Sequence, residues 1–599
     1  MNLKVSTQRA PRTLVEFGLN RLSALGKALG FAARERELAQ LFRRLGETWA
    51  DQPLGQGMGW ESHVVDDGTP FEFSVAYGGD GAELRIMVEP FGAAPSLESN
   101  AQAAIELLRD LSKDYDITLD RFEKVRDLFL PEKPRGPFSI WVAACFEGTR
   151  PPDFKIYLCP EARGARHAAA VLEEALVRLG FSGAWGVAGK HLGARGPELD
   201  QFKYFSLDLG KTPEARVKVY ARHQASTPED LEAAASASPT HRPGEVKRFL
   251  KAVAPGLQKF RGRAPFTCYS FVEGRGDSPS AVTTHFPING YARNDLEVSE
   301  SALATLEHLG ISAGGYLRTL DVIATRPLED GVGLQSYLSF RRHKDKPRLT
   351  VYLPCEAFRP GTIAASGAAP APSGVMEIVD RYEQDGDMTT HPFIRRLSRE
   401  AFSRSNIWLL LANLEIAEAG AARRVAQIAA RVQSDALRSP VVALLNEQLG
   451  DGQFERARVR GFGELMAHLE SWRPAHVDDW SLLPGRRLDA RLAEVCGAQD
   501  TYVGAGALLA GEVFRKQLGV FLDEQIARDE VPRDTALPWR RVGSRPQPAE
   551  SLASSAPEEA LEALWQGASA RRQAEWTFFD HMYAVCYALE QWPVARVAL

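Results

Sequence analysis

Cations and aromatic residues alternate along short segments of the first 360 residues. The clearest segment is Arg216-Val217-Lys218-Val219-Tyr220. Because successive side chains of a β-strand point to opposite faces, the two cations and the tyrosine share one face and the two valines share the other. Lys and Arg gathered in a low-dielectric cavity repel one another unless an anion of high charge density lies among them. The pattern therefore predicts a diphosphate-binding face.

The aromatic rings on the same face add a second chemical property. An aromatic face stabilises a desolvated cation by about 2 kcal/mol at best. Cations that hold a diphosphate, beside rings that shield a carbocation from water, suit the ionisation of an allylic diphosphate. The sequence contains no Asp-Asp-x-x-Asp cluster. Lys and Arg would therefore replace magnesium in neutralising the leaving group.

This strand recurs five times, at intervals of 63 to 70 residues. A repeat of that length is a whole ββαα unit. Apolar positions at helical spacing lie between the strand pairs, at 96–114, 167–180, 244–258 and 298–309. Ten antiparallel strands closed into a barrel would enclose the polar face and leave no sheet edge. The aligned positions of the five second strands are Arg85, Lys155, Lys218, Thr283 and Thr350.

The C-terminal part of the chain has a different pattern, and an α+β fold with two domains follows. The segment 361–374 is rich in Ala, Pro, Gly and Ser and predicts a linker between domains at 1–360 and 375–599. A second such stretch, 543–557, predicts a long loop. The remaining apolar stripes predict an all-α bundle, with helices at 391–416, 420–449, 454–472, 486–496, 500–527 and 558–592.

Composition limits the class of partner and the compartment. The 599 residues carry a formal net charge of −5, which gives no support to nucleic-acid binding. No apolar run has the length of a membrane span, and the N-terminus has no secretory signal. Six scattered cysteines lack metal-site spacing, so we expect reduced thiols and a cytoplasmic protein with small-molecule substrates. The helical domain could support a homodimer.

A local motif precedes the Lys-x-Tyr strands and consists of the segments 59–62 (Gly-Trp-Glu-Ser) and 66–74 (Asp-Asp-Gly-Thr-Pro-Phe-Glu-Phe-Ser). Together with those strands, it resembles the indole prenyltransferases of the dimethylallyltryptophan synthase type. The resemblance covers about residues 10–360 and implies the ABBA prenyltransferase barrel. It also implies metal-independent Friedel–Crafts transfer of a dimethylallyl group from its diphosphate to tryptophan or an indole derivative.

The resemblance also implies site residues. Glu72 would accept a hydrogen bond from the indole N–H. His285 and Thr283 depart from the family pattern in the fourth repeat, and Met87 departs from it in the first. His285 is either a phosphate-binding imidazolium or a neutral wall residue. The diphosphate would be bound by Arg85, Lys155, Arg216, Lys218 and Arg348, with Arg341 as an alternative to Arg348, and the cation would be shielded by Tyr157, Tyr220, Tyr337 and Tyr352.

Four segments of the helical part, 391–394, 444–448, 504–512 and 576–580, resemble the haem-oxygenase-like fold, in its branch of di-iron oxidases and pyrroloquinoline-quinone-synthesis-type proteins. The resemblance makes three carboxylates candidate iron ligands. It also implies histidines, but arginines or other residues stand at those positions, and acids without imidazoles bind iron weakly. The candidate carboxylates are Glu447, Glu512 and Asp580.

Three function classes remain at this point. The favoured one is a prenyltransferase that needs no cofactor, with a degenerate helical domain used for packing, dimerisation or product handling. The alternative is a bifunctional enzyme whose helical domain is a non-haem di-iron oxidase acting on the prenylated product. A barrel that binds without turnover is disfavoured by the retained Glu72 and by the paired cation and tyrosine positions.

Overall fold

The structure is a computed structural model with two compact units. One unit comprises Arg12–Leu54 and Met58–Ala357, and the other comprises Phe358–Cys586. No described helix combines the length and hydropathy needed to cross a membrane. The residues described are 13–54, 59–78, 81–343, 345–358, 372–384, 388, 391–399, 403–475, 477, 481–527 and 556–588.

Ten antiparallel strands form a closed barrel in the first unit. Each strand pairs with its neighbours in sequence, and the last strand pairs with the first, as the repeat predicts. Closure leaves no unpaired edge. The strands are β1 (Phe71–Tyr77), β2 (Glu83–Val88), β3 (Ile140–Glu147), β4 (Asp153–Leu158), β5 (Asp200–Asp208), β6 (Arg216–His223), β7 (Phe266–Val272), β8 (Ala281–Phe286), β9 (Leu338–His343) and β10 (Lys346–Leu353).

The strand residues divide between two faces. Phe154, Ile156, Val217 and Val219 are at most 1 % exposed and belong to the hydrophobic core between barrel and helices. The alternate positions of β4 and β6 carry the cations and tyrosines, which point into the lumen. Alternation with period two therefore produces an apolar outer face and a polar inner face from the same strands.

Helices cover the apolar face, and each of the four intervals between strand pairs holds two of them. Each of the four predicted helical stripes overlaps a helix, and the other helix of each interval, which has 8 to 10 residues, was not predicted. Ser96 caps one of the predicted helices through a reciprocal bond with Ser99. The helices are α1 (Leu14–Ala28), α2 (Glu35–Leu45), α3 (Leu97–Leu111), α4 (Asp120–Phe129), α5 (Ala168–Arg178), α6 (Ala184–His191), α7 (Pro228–Ala235), α8 (Glu245–Val253), α9 (Asp295–His308) and α10 (Gly314–Ile323).

The second unit is helical throughout the part that the structure describes. Three predicted helices were wrong in length: 391–416 is divided at Ser403, which caps a new helix, 420–449 is interrupted around Val432, and 454–472 contains an α-helix only over Arg458–His468. Parts of two predicted connections lie outside the described residues. They are residues 361–371 of the predicted linker 361–374 and residues 543–555 of the predicted loop 543–557. The helices are α11 (Val375–Gln384), α12 (Pro392–Arg399), α13 (Arg404–Ala419), α14 (Ala421–Arg431), α15 (Asp435–Gln448), α16 (Arg458–His468), α17 (Leu483–Cys496), α18 (Thr501–Ala527) and α19 (Leu561–Ala588).

Candidate active site

One group of cations in the lumen surrounds Asp208 at the end of β5. The Nε of Arg216 donates to Asp208 Oδ2 at 2.6 Å, and Lys218 Nζ lies 3.5 Å from Asp208 Oδ1. Lys155 stands directly opposite Asp208 in the strand register. Three of the predicted diphosphate ligands are therefore gathered around one carboxylate.

A second group of cations surrounds Glu83, at the start of β2. Arg85 donates a hydrogen bond to Glu83. Arg348 Nη1 donates to Glu83 Oε2 at 3.0 Å, and Arg341 Nη2 lies 3.7 Å from the same oxygen. The other end of the Arg348 guanidinium donates to Glu147 Oε1 at 2.8 Å. Both alternatives for the fifth-repeat cation thus lie beside Glu83, and the sequence interpretation missed the two carboxylates.

The charges of the two groups are strongly coupled. Burial, reinforced by the positive charge of Arg216, lowers the pKa of Lys218 to about 7. Burial would raise the pKa of Glu83, but the surrounding cations outweigh it and hold that pKa well below its usual range. The six cations of the two groups face four carboxylates, which are Glu83, Glu147, Asp153 and Asp208. The lumen therefore keeps an excess of positive charge that a polyanion can neutralise.

Aromatic rings form a belt across the lumen. The ring centroids of Tyr157 and Tyr220 are 6.0 Å apart, and those of Tyr220 and His285 are 5.8 Å apart. The belt continues to Tyr352 at 5.9 Å from His285 and to Tyr337 at 6.0 Å from Tyr352. These rings come from four different repeats, so the closed barrel brings together all four tyrosines predicted to shield a cation.

Glu72 lies on β1, on the same face as the belt, and is 7 % exposed. Ser336 Oγ donates to Glu72 Oε1 at 3.0 Å. Burial raises the pKa of Glu72 to about 8, although the bond from Ser336 opposes the shift. A buried carboxyl group with a raised pKa is a strong hydrogen-bond acceptor once it is ionised. It therefore suits a neutral N–H donor.

The segment that carries Ser336 is held in place by a buried ion-pair network. Arg326 Nη2 donates to Asp295 Oδ2 at 2.6 Å and to Glu356 Oε1 at 2.9 Å. Asp295 Oδ2 also accepts the backbone N–H of Leu334 at 3.2 Å. Because Ser336 follows Leu334 by two residues, this network positions the hydroxyl that bonds to Glu72. No local sequence signal identifies it.

Glu89, the residue that follows β2, holds the Gly-Trp-Glu-Ser segment (59–62) in place. Trp60 Nε1 donates to Glu89 Oε1 at 3.1 Å, and Ser62 Oγ donates to Glu89 Oε2 at 2.7 Å. Burial raises the pKa of Glu89 to about 7. Trp60 and Ser62 therefore anchor the loop that leads into β1, and Glu89 is a positioning residue that the sequence interpretation missed.

Known proteins share this barrel. A family model described as tryptophan dimethylallyltransferase matches residues 40–319. The 6-dimethylallyltryptophan synthase from Micromonospora olivasterospora, solved in complex with DMASPP and Trp, is 33 % identical, with a TM-score of 0.56. The match covers 58 % of this chain and 99 % of that one. The chain belongs to the tryptophan dimethylallyltransferase family.

Two further solved structures support this membership. The 5-dimethylallyltryptophan synthase from Streptomyces coelicolor is 33 % identical, with a TM-score of 0.54, and the match covers 58 % of this chain and 99 % of that one. The prenyltransferase PriB, in a ternary complex with L-tryptophan and dimethylallyl thiolodiphosphate, is 30 % identical, with coverages of 58 % and 97 % and a TM-score of 0.54. The chain is therefore a prenyltransferase with the ABBA barrel.

Its departures from the family pattern lie within the lumen. Burial, with the positive charge of Arg85 second, lowers the pKa of His285 to about 3, so the imidazole is neutral. Its Nδ1 lies 3.2 Å from the hydroxyl of Tyr352. Thr283 precedes it by two residues on β8, and Met87 packs against the same buried cluster as Tyr157. His285 thus lies in the aromatic belt, and its lowered pKa favours the neutral wall residue of the two alternatives.

The candidate iron ligands of the helical unit are bonded to other side chains. Arg458 donates to Glu447 and lies 3.5 Å from Glu512, so one guanidinium contacts both carboxylates. Asp580 Oδ1 lies 3.1 Å from Nε2 of His391. Within the described residues, no group of three or more His, Cys, Asp or Glu side chains could hold a metal ion. A guanidinium between two carboxylates opposes a divalent cation, so this donor set does not fit a di-iron centre.

The arginine contacts predict how the protein responds to iron. When it is incubated with ferrous iron without oxygen and then desalted, we expect metal analysis to find far less than one iron per chain. The physical reason is that Arg458 pairs with Glu447 and Glu512 and Arg515 pairs with Glu512, so two cations already neutralise the two carboxylates. Iron retained in stoichiometric amount, and lost in an Asp580→Ala variant, would contradict this expectation.

Proposed function

We propose that this prenyltransferase moves a dimethylallyl group from its diphosphate to the indole ring of tryptophan or a tryptophan derivative. Arg85, Lys155, Arg216 and Lys218 would bind the diphosphate, together with Arg348 or Arg341. Glu72 would bind the indole N–H. The observation that supports this proposal best is the order of the groups along one lumen, with cations, an aromatic belt and a buried carboxyl group in succession.

The reaction would begin with cleavage of the bond between the allylic carbon and the diphosphate oxygen. The cations stabilise the negative charge that develops on the leaving group, and the rings of Tyr157, Tyr220, Tyr337 and Tyr352 stabilise the allylic cation. A hydrogen bond from the indole N–H to Glu72 raises the electron density of the ring. The ring carbon then bonds to the allylic carbon, and the proton on that ring carbon passes to Glu72 or to a water beside the released diphosphate, which restores aromaticity.

The direct test is mass spectrometry of reaction mixtures that contain the purified protein, dimethylallyl diphosphate, tryptophan and EDTA. We expect tryptophan to gain one C5H8 unit, because the cations of the lumen replace magnesium. Product formation that stops in EDTA and returns with added magnesium would contradict metal independence. Failure with every indole acceptor tested would contradict the proposed acceptor.

The pKa values predict a bell-shaped pH profile. Glu72, with a pKa of about 8, must be a carboxylate, and Lys218, with a pKa of about 7, must be an ammonium. The fraction of Glu72 that is ionised grows as the pH rises to 8, and the fraction of Lys218 that is protonated falls as the pH rises above 7. We expect kcat/KM to peak at about pH 7.5 and to fall about tenfold per unit well outside the peak.

A variant separates the two limbs of this profile. Glu72→Gln has no group to ionise at this position, so it should lose the limb that rises with pH and keep the decline above pH 7. A Glu72→Gln profile with the wild-type acid limb would assign that limb to another group, such as the diphosphate of the donor.

For the helical unit we propose a role in packing, dimerisation or product handling, on a chain divided into domains at 1–360 and 375–599 with the linker 361–374 between them. The buried contacts of Arg458 and Arg515 with Glu512 support the role in packing. The substrates are small molecules, and we propose a cytoplasmic location.

A further inference from the structure

Glu83 places a negative charge among the cations that we assign to the diphosphate. Arg85 donates a hydrogen bond to Glu83, Arg348 Nη1 donates to its Oε2 at 3.0 Å, and Arg341 Nη2 lies 3.7 Å from the same oxygen. The Glu83 side chain is only 11 % exposed, so water screens its charge weakly. A buried carboxylate repels a diphosphate, and its position therefore lowers the affinity of a site whose other charges attract the donor.

The two arginines of the fifth repeat differ in how many of their N–H groups are occupied. Arg348 donates from Nε to Gly78 O at 3.4 Å, from Nη1 to Glu83 and from Nη2 to Glu147. Arg341 makes no hydrogen bond within the part of the chain that the structure describes. Burial lowers the pKa of Arg341 to about 10, and the charge of Glu83 opposes that shift. Arg341 can therefore turn to a bound diphosphate without giving up a hydrogen bond.

We infer that Glu83 is a positioning residue that serves as the counter-ion of the empty diphosphate site and promotes release of the product diphosphate. With no ligand bound, its charge offsets the repulsion between Arg85 and Arg341. When the allylic C–O bond breaks, the diphosphate carries one more negative charge than it did in the donor, so its repulsion by Glu83 grows. The arginines then pair with Glu83 again as the diphosphate leaves. This inference rests on the proposed role of the lumen cations.

The simpler alternative is that Glu83 only fixes the arginines in the geometry that binds diphosphate. The two roles predict opposite effects when the charge is removed. If Glu83 only fixes the arginines, Glu83→Gln loosens them and weakens the binding of diphosphate. If Glu83 is a counter-ion, the empty site of Glu83→Gln contains uncompensated positive charge, which destabilises the free protein. Bound pyrophosphate then restores the balance of charge, so the variant binds it more tightly than wild type does.

The experiment measures the Kd of inorganic pyrophosphate by isothermal titration calorimetry, and Tm with and without pyrophosphate, in wild type and Glu83→Gln. We expect Glu83→Gln to lower this Kd about tenfold. Its Tm should be lower than that of wild type without pyrophosphate, and should rise further when pyrophosphate is added. In steady-state kinetics, KM for the prenyl donor and kcat should both fall, because the donor binds more tightly and the diphosphate leaves more slowly.

The matched control is Glu245→Gln. Glu245 accepts a hydrogen bond from Arg342 Nε at 2.8 Å, and its side chain is 10 % exposed, but this pair lies outside the lumen. Both variants lose one buried carboxylate bonded to an arginine, so their net charges are equal. Glu245→Gln should lower Tm and leave the Kd of pyrophosphate within about twofold of wild type.

A second variant keeps the test valid if Glu83→Gln does not fold. Glu147→Gln removes the other carboxylate that is bonded to Arg348, and the Glu147 side chain is 35 % exposed. Because solvent screens this charge more strongly, we expect a smaller decrease in the Kd of pyrophosphate, about threefold. An unchanged or higher Kd in a folded Glu147→Gln would contradict the inference when Glu83→Gln cannot be measured.

Two results with Glu83→Gln would overturn the inference. Weaker binding of pyrophosphate than in wild type would show that Glu83 only fixes the arginines, and an unchanged Kd would show that its charge does not act on the ligand. If wild type does not bind pyrophosphate, or if Lys218→Met binds it as tightly as wild type, the assignment of the lumen cations to the diphosphate fails. If Lys218→Met weakens binding but Glu83→Gln does not strengthen it, only the present inference fails.

Discussion

Replacing Lys218 by methionine should lower kcat/KM for the prenyl donor by about 10² to 10³-fold, the loss typical of removing one preorganised donor that stabilises developing charge. Lys218 is 7 % exposed and lies 3.5 Å from Asp208, which also binds Arg216. Methionine keeps most of the side-chain volume and removes the charge. The remaining cations would then neutralise less of the leaving group, and inhibition by the product diphosphate should weaken in parallel.

The matched control is Lys211→Met. Lys211 also pairs with an aspartate, with Nζ 2.7 Å from Asp116 Oδ1, but its side chain is 57 % exposed. The two variants have the same net charge, so a general electrostatic effect on the anionic donor would appear in both. We expect the control to stay within about twofold of wild type, as for most exposed ion pairs. Unchanged donor kinetics in Lys218→Met would contradict the assignment of the lumen to the diphosphate.

The alternation of residues in the strands was sufficient to predict which side chains face the lumen. Arg216, Lys218 and Tyr220 share one face because the strand has a period of two, and this holds whatever the rest of the chain does. Closure of the barrel followed from the repetition of the same unit. Every copy has one polar face and one apolar face, and a closed barrel encloses the first and leaves the second to be covered by helices. Both features depend on local or periodic patterns, so they can be predicted from a single sequence.

The residues that support the site were not predictable in the same way. Glu83 points to the same face of β2 as Arg85, which the sequence pattern shows. Its contacts with Arg341 and Arg348 form only when β10 pairs with β1 and closes the barrel. Ser336 and Glu72 are separated by 264 residues, and no local pattern connects them. The helical unit shows the same limit, because Arg458 bonds to Glu447 and Glu512 from different helices.

Replacing Glu72 by glutamine should lower kcat/KM for tryptophan by about 10²-fold and leave KM for the prenyl donor nearly unchanged. The side chain keeps its size and can still accept a hydrogen bond, but it loses the negative charge that makes the bond to the indole N–H strong. That charge also stabilises the positive charge that develops on the ring as the new bond forms. The measurement is steady-state kinetics for each substrate at pH 8.5, where the wild-type carboxyl group is mostly ionised.

A methylated acceptor tests whether the indole N–H is the group that Glu72 contacts. 1-Methyltryptophan lacks this hydrogen, so the wild-type enzyme should lose about as much activity with it as Glu72→Gln loses with tryptophan. The double change should cost little more than either single change, because both remove the same bond. Additive losses would place the contact elsewhere. Glu245→Gln, which removes a buried charge bonded to Arg342 outside the lumen, should lower thermal stability but not kcat/KM, which separates a folding defect from a catalytic one.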